Sequence, residues 1–248
     1  MPTPITIAVA GKGGSGKSTL AALLIHRLAQ RVESPILGVD ADPDGALGWY
    51  MNLEPDYTVG ELKESLKGSN LPQGKAQMAQ MGILQCLAEG EEFDILTMGR
   101  GQGTGCYCAV NDLTRRLLGN LAKEYRSVVV DNEAGLEHLS RGLPFKVNLL
   151  AVLCRPERME VMSAKRIIAL SDELGLDIAN KALVVNQSAD DAVVEISTIC
   201  GLDRYVTIPR LSILEKGGIS DRPPDWGKIL MQVDESLDRL IDWAIAKS

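Results

Sequence analysis

Gly11-Lys12-Gly13-Gly14-Ser15-Gly16-Lys17-Ser18-Thr19 fits the pattern G-x-x-x-x-G-K-[ST], and its flanks supply the context that the pattern requires. Ile5 to Ala10 predict a short buried strand, and Leu20 to Leu28 predict an amphipathic helix. A strand, a glycine-rich turn and a helix N-terminus aim several backbone N–H groups and a helix dipole at one anion, so triphosphate binding follows from backbone geometry. Gly13, Gly14, Ser15, Gly16 and Thr19 are the expected cradle for ATP or ADP. Lys17 is expected to reach the β- and γ-phosphates, and the Ser18 hydroxyl to ligate Mg²⁺. A plain strand-to-helix turn explains neither the lysine nor so many glycines.

Outward from this loop the chain alternates strand and helix. Predicted strands cover Ile36 to Asp40, Phe93 to Met98, Ser127 to Asp131, Asn148 to Cys154, Lys181 to Val185 and Arg204 to Ile208. Helices are predicted at Val59 to Leu66, Lys75 to Ala88, Asn111 to Tyr125, Met159 to Leu174 and Val233 to Ile245. Short apolar strands separated by helices require right-handed crossovers. The expected fold is a doubly wound α/β sheet, mostly parallel, with helices on both faces and a ligand at the C-terminal edge of the strands. Residues 1–248 are expected to form one domain, since such sheets reach this length. Hydrophobic residues make up 45% and aromatic residues 4%, which suits an aliphatic core of buried parallel strands.

Composition excludes several classes of partner. A net charge of −7 with no basic run argues against a nucleic-acid surface, which needs clustered Lys and Arg. No apolar run approaches a membrane span, and Val233 to Ile245 is acidic on its polar face, whereas membrane-surface helices are usually basic there. That helix is expected to pack on the body, with neither membrane nor nucleic acid as partner. Met1 leads through two prolines into a strand without the pattern of a secretory signal. Five cysteines, an odd number, then point to a reducing, cytoplasmic setting.

Carboxylates close two of the predicted strands, at Asp40-Ala41-Asp42-Pro43-Asp44 and at Asp131, where doubly wound sheets bind ligands. Lys12 is a second lysine that an ordinary phosphate loop does not need. The spelling K-G-G-x-G-K-S-T resembles the deviant phosphate loop of the MinD, ParA and nitrogenase iron-protein ATPases. That resemblance implies that Lys12 crosses a homodimer interface to the partner's nucleotide, so ATP closes the dimer. It also implies that Asp42 orients the attacking water and that Asp131 is a second Mg²⁺-associated carboxylate, with Asp40 supporting the metal through water. Asn186 takes the place of an adenine-reading asparagine, and Pro209 and Arg210, with Arg155 and Pro156 less directly, take places that line the base. Gly135 falls in the second switch loop, near the γ-phosphate, with His138 beside it.

Gly105-Cys106-Tyr107-Cys108, with Asn111 following, and Asp131-Asn132-Glu133-Ala134-Gly135-Leu136-Glu137-His138-Leu139-Ser140-Arg141 together resemble the CooC family. Those are accessory ATPases for nickel insertion into carbon monoxide dehydrogenase, with close relatives serving acetyl-CoA synthase. Asn132 stands where the nitrogenase iron protein has a cluster-bridging cysteine. A C-x-C pair offers two soft thiolates, which suit Ni²⁺, Zn²⁺ or Cu⁺. Two ligands rarely make a tight site, but a two-fold dimer brings four, so Cys106 and Cys108 are expected to share Ni²⁺ or Zn²⁺ across the interface. Cys86, Cys154 and Cys200 read as core thiols. The resemblance implies a dimerising, metallochaperone-type ATPase with a nickel enzyme as client. The alternative is a spatial regulator of the MinD and ParA kind.

Overall fold

Short apolar runs become the strands of a single sheet in the computed structural model, which describes residues 3–31, 34–42, 45–67, 72–100, 108–133, 136, 146–188, 193–212 and 224–246. In chain order the elements are β1 (Ile5–Gly11), α1 (Lys17–Arg31), β2 (Ile36–Asp40), α2 (Ala46–Met51), α3 (Val59–Lys67), α4 (Pro72–Gln85), β3 (Leu87–Ala88), β4 (Phe93–Thr97) and α5 (Cys108–Ala122). There follow β5 (Ser127–Asp131), β6 (Val147–Cys154), α6 (Arg158–Glu173), β7 (Ile178–Asn186), α7 (Val193–Cys200), β8 (Tyr205–Ile208), α8 (Trp226–Leu230) and α9 (Asp234–Ile245).

The sheet has eight strands in the order β3-β4-β2-β5-β1-β6-β7-β8. Every described pairing is parallel except β3 with β4. Side chains alternate across a strand, and the core divides accordingly. Ile7, Val9, Val129, Leu149, Ala151 and Leu153 face α1, α2, α8 and α9. Ala8, Ala10, Val128, Val130, Leu150 and Val152 face the layer built from α3 to α7. Both faces are covered, as a parallel sheet requires.

One predicted element is corrected. The helix expected over Lys75 to Ala88 runs instead from Pro72 to Gln85, and Leu87 and Ala88 pair antiparallel with Leu96 and Ile95. Only that partner makes two residues a strand. The short helices α2, α7 and α8 join the predicted ones, and the strand and helix ends differ from expectation by a few residues.

Helix α9 buries Leu237, Leu240, Ile241 and Ala244. Its acidic face is met by α1: the Arg27 guanidinium donates to both oxygens of Asp238 at 2.7 and 2.6 Å, and Arg31 donates to Asp242 at 2.8 Å. The carboxylates that make this helix unlike a membrane-surface helix therefore have partners within the fold. No helix among the described residues is long and apolar enough to cross a membrane.

Candidate functional site

The loop between β1 and α1 is shaped by its glycines and clamped by two neighbouring strands. Gly14 and Gly16 have φ of 77° and 102°, where a side chain is strained. The Ser15 N–H donates to the Lys12 carbonyl at 3.2 Å, which folds the loop onto itself. From the end of β7, Asn186 Nδ2 donates to the Ser15 carbonyl at 2.7 Å. A Cβ on Gly16 would meet that same amide nitrogen at 2.6 Å, and one on Gly11 would meet the Leu153 carbonyl of β6 at 2.8 Å. Lys17, the first residue of α1, is only 6% exposed, whereas Lys12 is exposed.

Strand register builds the acidic side of the site. Asp40 and Asp131 end β2 and β5 as direct neighbours in the ladder, and Asp131 is also level with Val9 of β1. Both carboxylate oxygens of Asp131 are buried without a partner in good hydrogen-bond geometry among the described residues, and the Ser18 hydroxyl lies near enough to favour the charged form. Burial pushes its pKa up to about 7, the nearby Asp40 and Asp42 carboxylates add to the rise, and the Ser18 hydroxyl and Lys17 ammonium oppose it. A buried, orphaned carboxylate beside a hydroxyl fits the oxygen ligands that Mg²⁺ takes. The Asn132 side-chain oxygen and the Ser15 hydroxyl, both near the loop, are likewise buried without a partner among the described residues.

Asp40, expected to support the metal through water, is held by backbone N–H groups. Its Oδ1 accepts the Asp42 N–H at 3.2 Å and its Oδ2 accepts the Leu47 N–H at 2.9 Å. Those bonds tie the turn after β2 to the first turn of α2, and burial, against these two bonds, pushes the pKa of Asp40 up to about 6. Asp42 is half-buried at the edge of the site, and its carbonyl accepts the Gly45 N–H at 3.1 Å. Pro43 and Asp44 lie outside the described residues.

A cleft of about 190 Å³ opens beside the loop. Gly14, Ser15, Gly16 and Thr19 form its phosphate end, Leu20 and Leu23 its floor, and Asn186, Gln187, Ile208 and Leu211 one wall. Pro209 and Arg210 are exposed just past β8 and do not line it. Their apolar neighbours Ile208, the last residue of β8, and Leu211, buried in the segment after it, do. The Arg155 guanidinium is engaged elsewhere, with Glu160 Oε1 at 2.5 Å from Nη2. Burial favours neutral Glu160, but its hydrogen bonds with Arg155 outweigh this and hold its pKa low, with Lys12 adding a smaller effect.

Tyr50 of α2 forms part of the cleft and was not singled out by sequence, since no motif marks it. Behind it lies an aromatic group in which Trp226 stands 5.8 Å from Tyr50 and 5.2 Å from His26. Burial lowers the His26 pKa to about 4, so this histidine is a neutral packing residue.

Cys106, Tyr107, Gly135 and His138 lie outside the described residues, as does the side chain of Cys108, whose backbone starts α5. Among the described residues no group of three or more His, Cys, Asp or Glu side chains is placed to hold a metal ion. Cys86, Cys154 and Cys200 are buried free thiols, and burial pushes Cys86 and Cys154 up to about 12, which suits core residues and not ligands.

Residues 6–199 match the CobQ/CobB/MinD/ParA nucleotide-binding domain family. The chain is 34% identical to an uncharacterized ATP-binding protein of Methanocaldococcus jannaschii, over 95% of this chain and 98% of that protein. It is 31% identical to the carbon monoxide dehydrogenase accessory protein CooC of Rhodospirillum rubrum, over 71% of this chain and 73% of that one. In fold it is similar to a ParA family ATPase from Chlorobium tepidum, with a TM-score of 0.67, 18% identity and 98% of each chain covered.

Proposed function

The chain belongs to the CobQ/CobB/MinD/ParA nucleotide-binding family, as an ATPase of the MinD and ParA type, and on that premise we propose that it is a cytoplasmic, single-domain, dimerising accessory ATPase that handles nickel, or zinc, for a nickel enzyme. The client class is an enzyme such as carbon monoxide dehydrogenase or acetyl-CoA synthase. The observation that carries this reading is the Cys106-x-Cys108 pair in a chain 31% identical to a carbon monoxide dehydrogenase accessory protein.

In this reading the backbone of Gly13 to Thr19 and the Lys17 ammonium hold the β- and γ-phosphates, and Asp42 orients the attacking water. Ser18 and Asp131 hold Mg²⁺, which when bound neutralises charge on the phosphate oxygens. Asn186 holds the loop while its amide faces the base cleft, with Ile208 and Leu211 as apolar wall and Pro209 and Arg210 at the rim. Lys12, exposed on the loop, reaches the partner's nucleotide. A Lys12→Gln variant is then expected to bind ADP about as well as the parent but to stay monomeric with a slowly hydrolysed ATP analogue. Sedimentation reads this directly, and an analogue-dependent dimer of normal affinity would leave Lys12 as an ordinary loop residue.

The metal ion is cargo. One subunit supplies two sulfurs and leaves the other positions to water, so the monomer binds weakly. Two subunits about a two-fold axis supply four thiolates, a set that suits tetrahedral Zn²⁺ or square-planar Ni²⁺. Equilibrium dialysis is expected to give about one ion per dimer, with uptake that releases protons and weakens as pH falls below the thiol range near ~8. Cys106→Ser is expected to lose metal-induced dimerisation and to keep ATPase activity, since the phosphate loop lies on another segment. Unchanged metal affinity in that variant, or one ion per monomer, would favour the second reading, a spatial regulator. The fold likeness to a ParA family ATPase supports that alternative, in which the partner is a membrane, DNA or another protein.

A further inference from the structure

Among the described residues that line the cleft beside the phosphate loop, Tyr50 is the one aromatic residue. The cleft, of about 190 Å³, has room for a heterocyclic base beside the phosphate loop. Asn186, Gln187, Ile208 and Leu211 come from the ends of β7 and β8, whereas Tyr50 comes from α2, so the cleft is closed by two separate parts of the fold. The Tyr50 ring is set from behind by Trp226 at 5.8 Å and Trp49 at 5.1 Å, both edge-on. Trp226 Nε1 donates to the Tyr50 carbonyl at 3.1 Å, and the phenol oxygen receives a long bond of 3.4 Å from Thr19 Oγ1 on the phosphate loop.

The helix that carries Tyr50 is tied to the segment that carries Asp42. Asp40 holds the Asp42 N–H with one carboxylate oxygen and the Leu47 N–H of α2 with the other. The Gly45 N–H, at the cap of α2, donates to the Asp42 carbonyl at 3.1 Å. At its far end α2 closes through Asn52, whose N–H returns to the Trp49 carbonyl at 3.1 Å. The six-residue helix α2 thus links Tyr50 to the backbone of Asp42 through a short run of hydrogen bonds.

We propose that Tyr50 is the residue against which the nucleotide base rests, and that through α2 and Asp40 it positions Asp42 for hydrolysis. ATP is then read at both ends, with the phosphates on the loop and the base on Tyr50, and the seated base brings α2 and Asp42 into place. This rests on the ATPase assignment and is independent of metal delivery. Tyr50 is a binding and positioning residue in this scheme, because it touches the base and acts on the attacking water only through Asp42.

The test compares Mg²⁺·ADP with Mg²⁺·tripolyphosphate, which has phosphates but no base, by titration calorimetry on the parent, Tyr50→Phe and Tyr50→Ala, with steady-state ATP turnover alongside. Base stacking on an aromatic ring is worth about tenfold or more in affinity by alanine substitution. Tyr50→Ala is expected to lose about tenfold in ADP affinity with tripolyphosphate affinity unchanged, and Tyr50→Phe to restore ADP binding because the ring suffices. At saturating ATP, kcat of Tyr50→Ala is expected to fall about threefold or more, and the fall to disappear in an Asp42→Asn background, as coupled positions require. Equal losses for both ligands would make Tyr50 a support of the loop through Thr19, and overturn the base contact. An unchanged kcat at saturation would overturn the positioning role. Tripolyphosphate binding by the parent and its loss in Lys17→Ala report on the phosphate loop separately.

Discussion

Lys17→Ala is expected to abolish measurable ATP hydrolysis and to weaken binding of ATP and ADP by about 10²-fold or more. The Lys17 side chain is almost fully buried within the loop, close enough to Asp131 to favour that residue's charged form. A cation in that position makes charge-assisted hydrogen bonds to phosphate, each worth roughly 1.5–3 kcal/mol, and two of them account for the expected loss. The fold itself should not suffer. A positive charge at a helix N-terminus is opposed by the helix dipole and favoured by Asp131, so the two effects of its removal offset. Calorimetric titration with ADP, beside a thermal melt that shows an unchanged or raised Tm, separates lost binding from lost structure. ADP affinity near that of the parent would remove Lys17 from the phosphate site.

Asp42→Asn is expected to lower turnover by about 10²-fold or more while leaving ATP binding near that of the parent, the scale of a lost general-base contribution. The substitution keeps the shape and removes the charge that the proposed mechanism assigns to orienting water. The two backbone bonds that hold the turn around Asp42, its N–H on Asp40 and its carbonyl on Gly45, do not use the Asp42 carboxylate. An effect on kcat with little effect on KM is the signature of a group acting in the transition state. Turnover within a few-fold of the parent would exclude Asp42 from the reaction. Loss of ATP affinity in its place would make the residue part of the binding site.

The order of strands and helices was legible because each rests on a local pattern. An apolar run between charged residues is buried wherever it lies, and strands such as Ser127–Asp131 follow the run nearly residue for residue. The two-residue strand Leu87–Ala88 was not legible, since its conformation comes from antiparallel pairing with Leu96 and Ile95 and from nothing in its own composition. The phosphate loop was legible for a deeper reason. Anion binding there is a property of backbone N–H groups, the glycines that free them and one lysine, all contiguous in the chain. That much the sequence by itself determined: a phosphate loop on a doubly wound sheet, with carboxylates at the ends of the strands beside it.

Tertiary structure alone decided which of those residues meet. Asp40 and Asp131 look alike as acidic strand ends, but register and the turn into α2 give them opposite fates: two backbone partners for Asp40, and two unsatisfied oxygens for Asp131. At the end of β8 and just past it, the fold buries Ile208 and Leu211 against the cleft and leaves Pro209 and Arg210 exposed. Tyr50 stands 31 residues from Thr19 in the chain, with no motif of its own, and reaches the cleft because α2 packs on α1 and Trp226 holds it there. Such positions depend on contacts between distant segments, and local pattern carries no record of them.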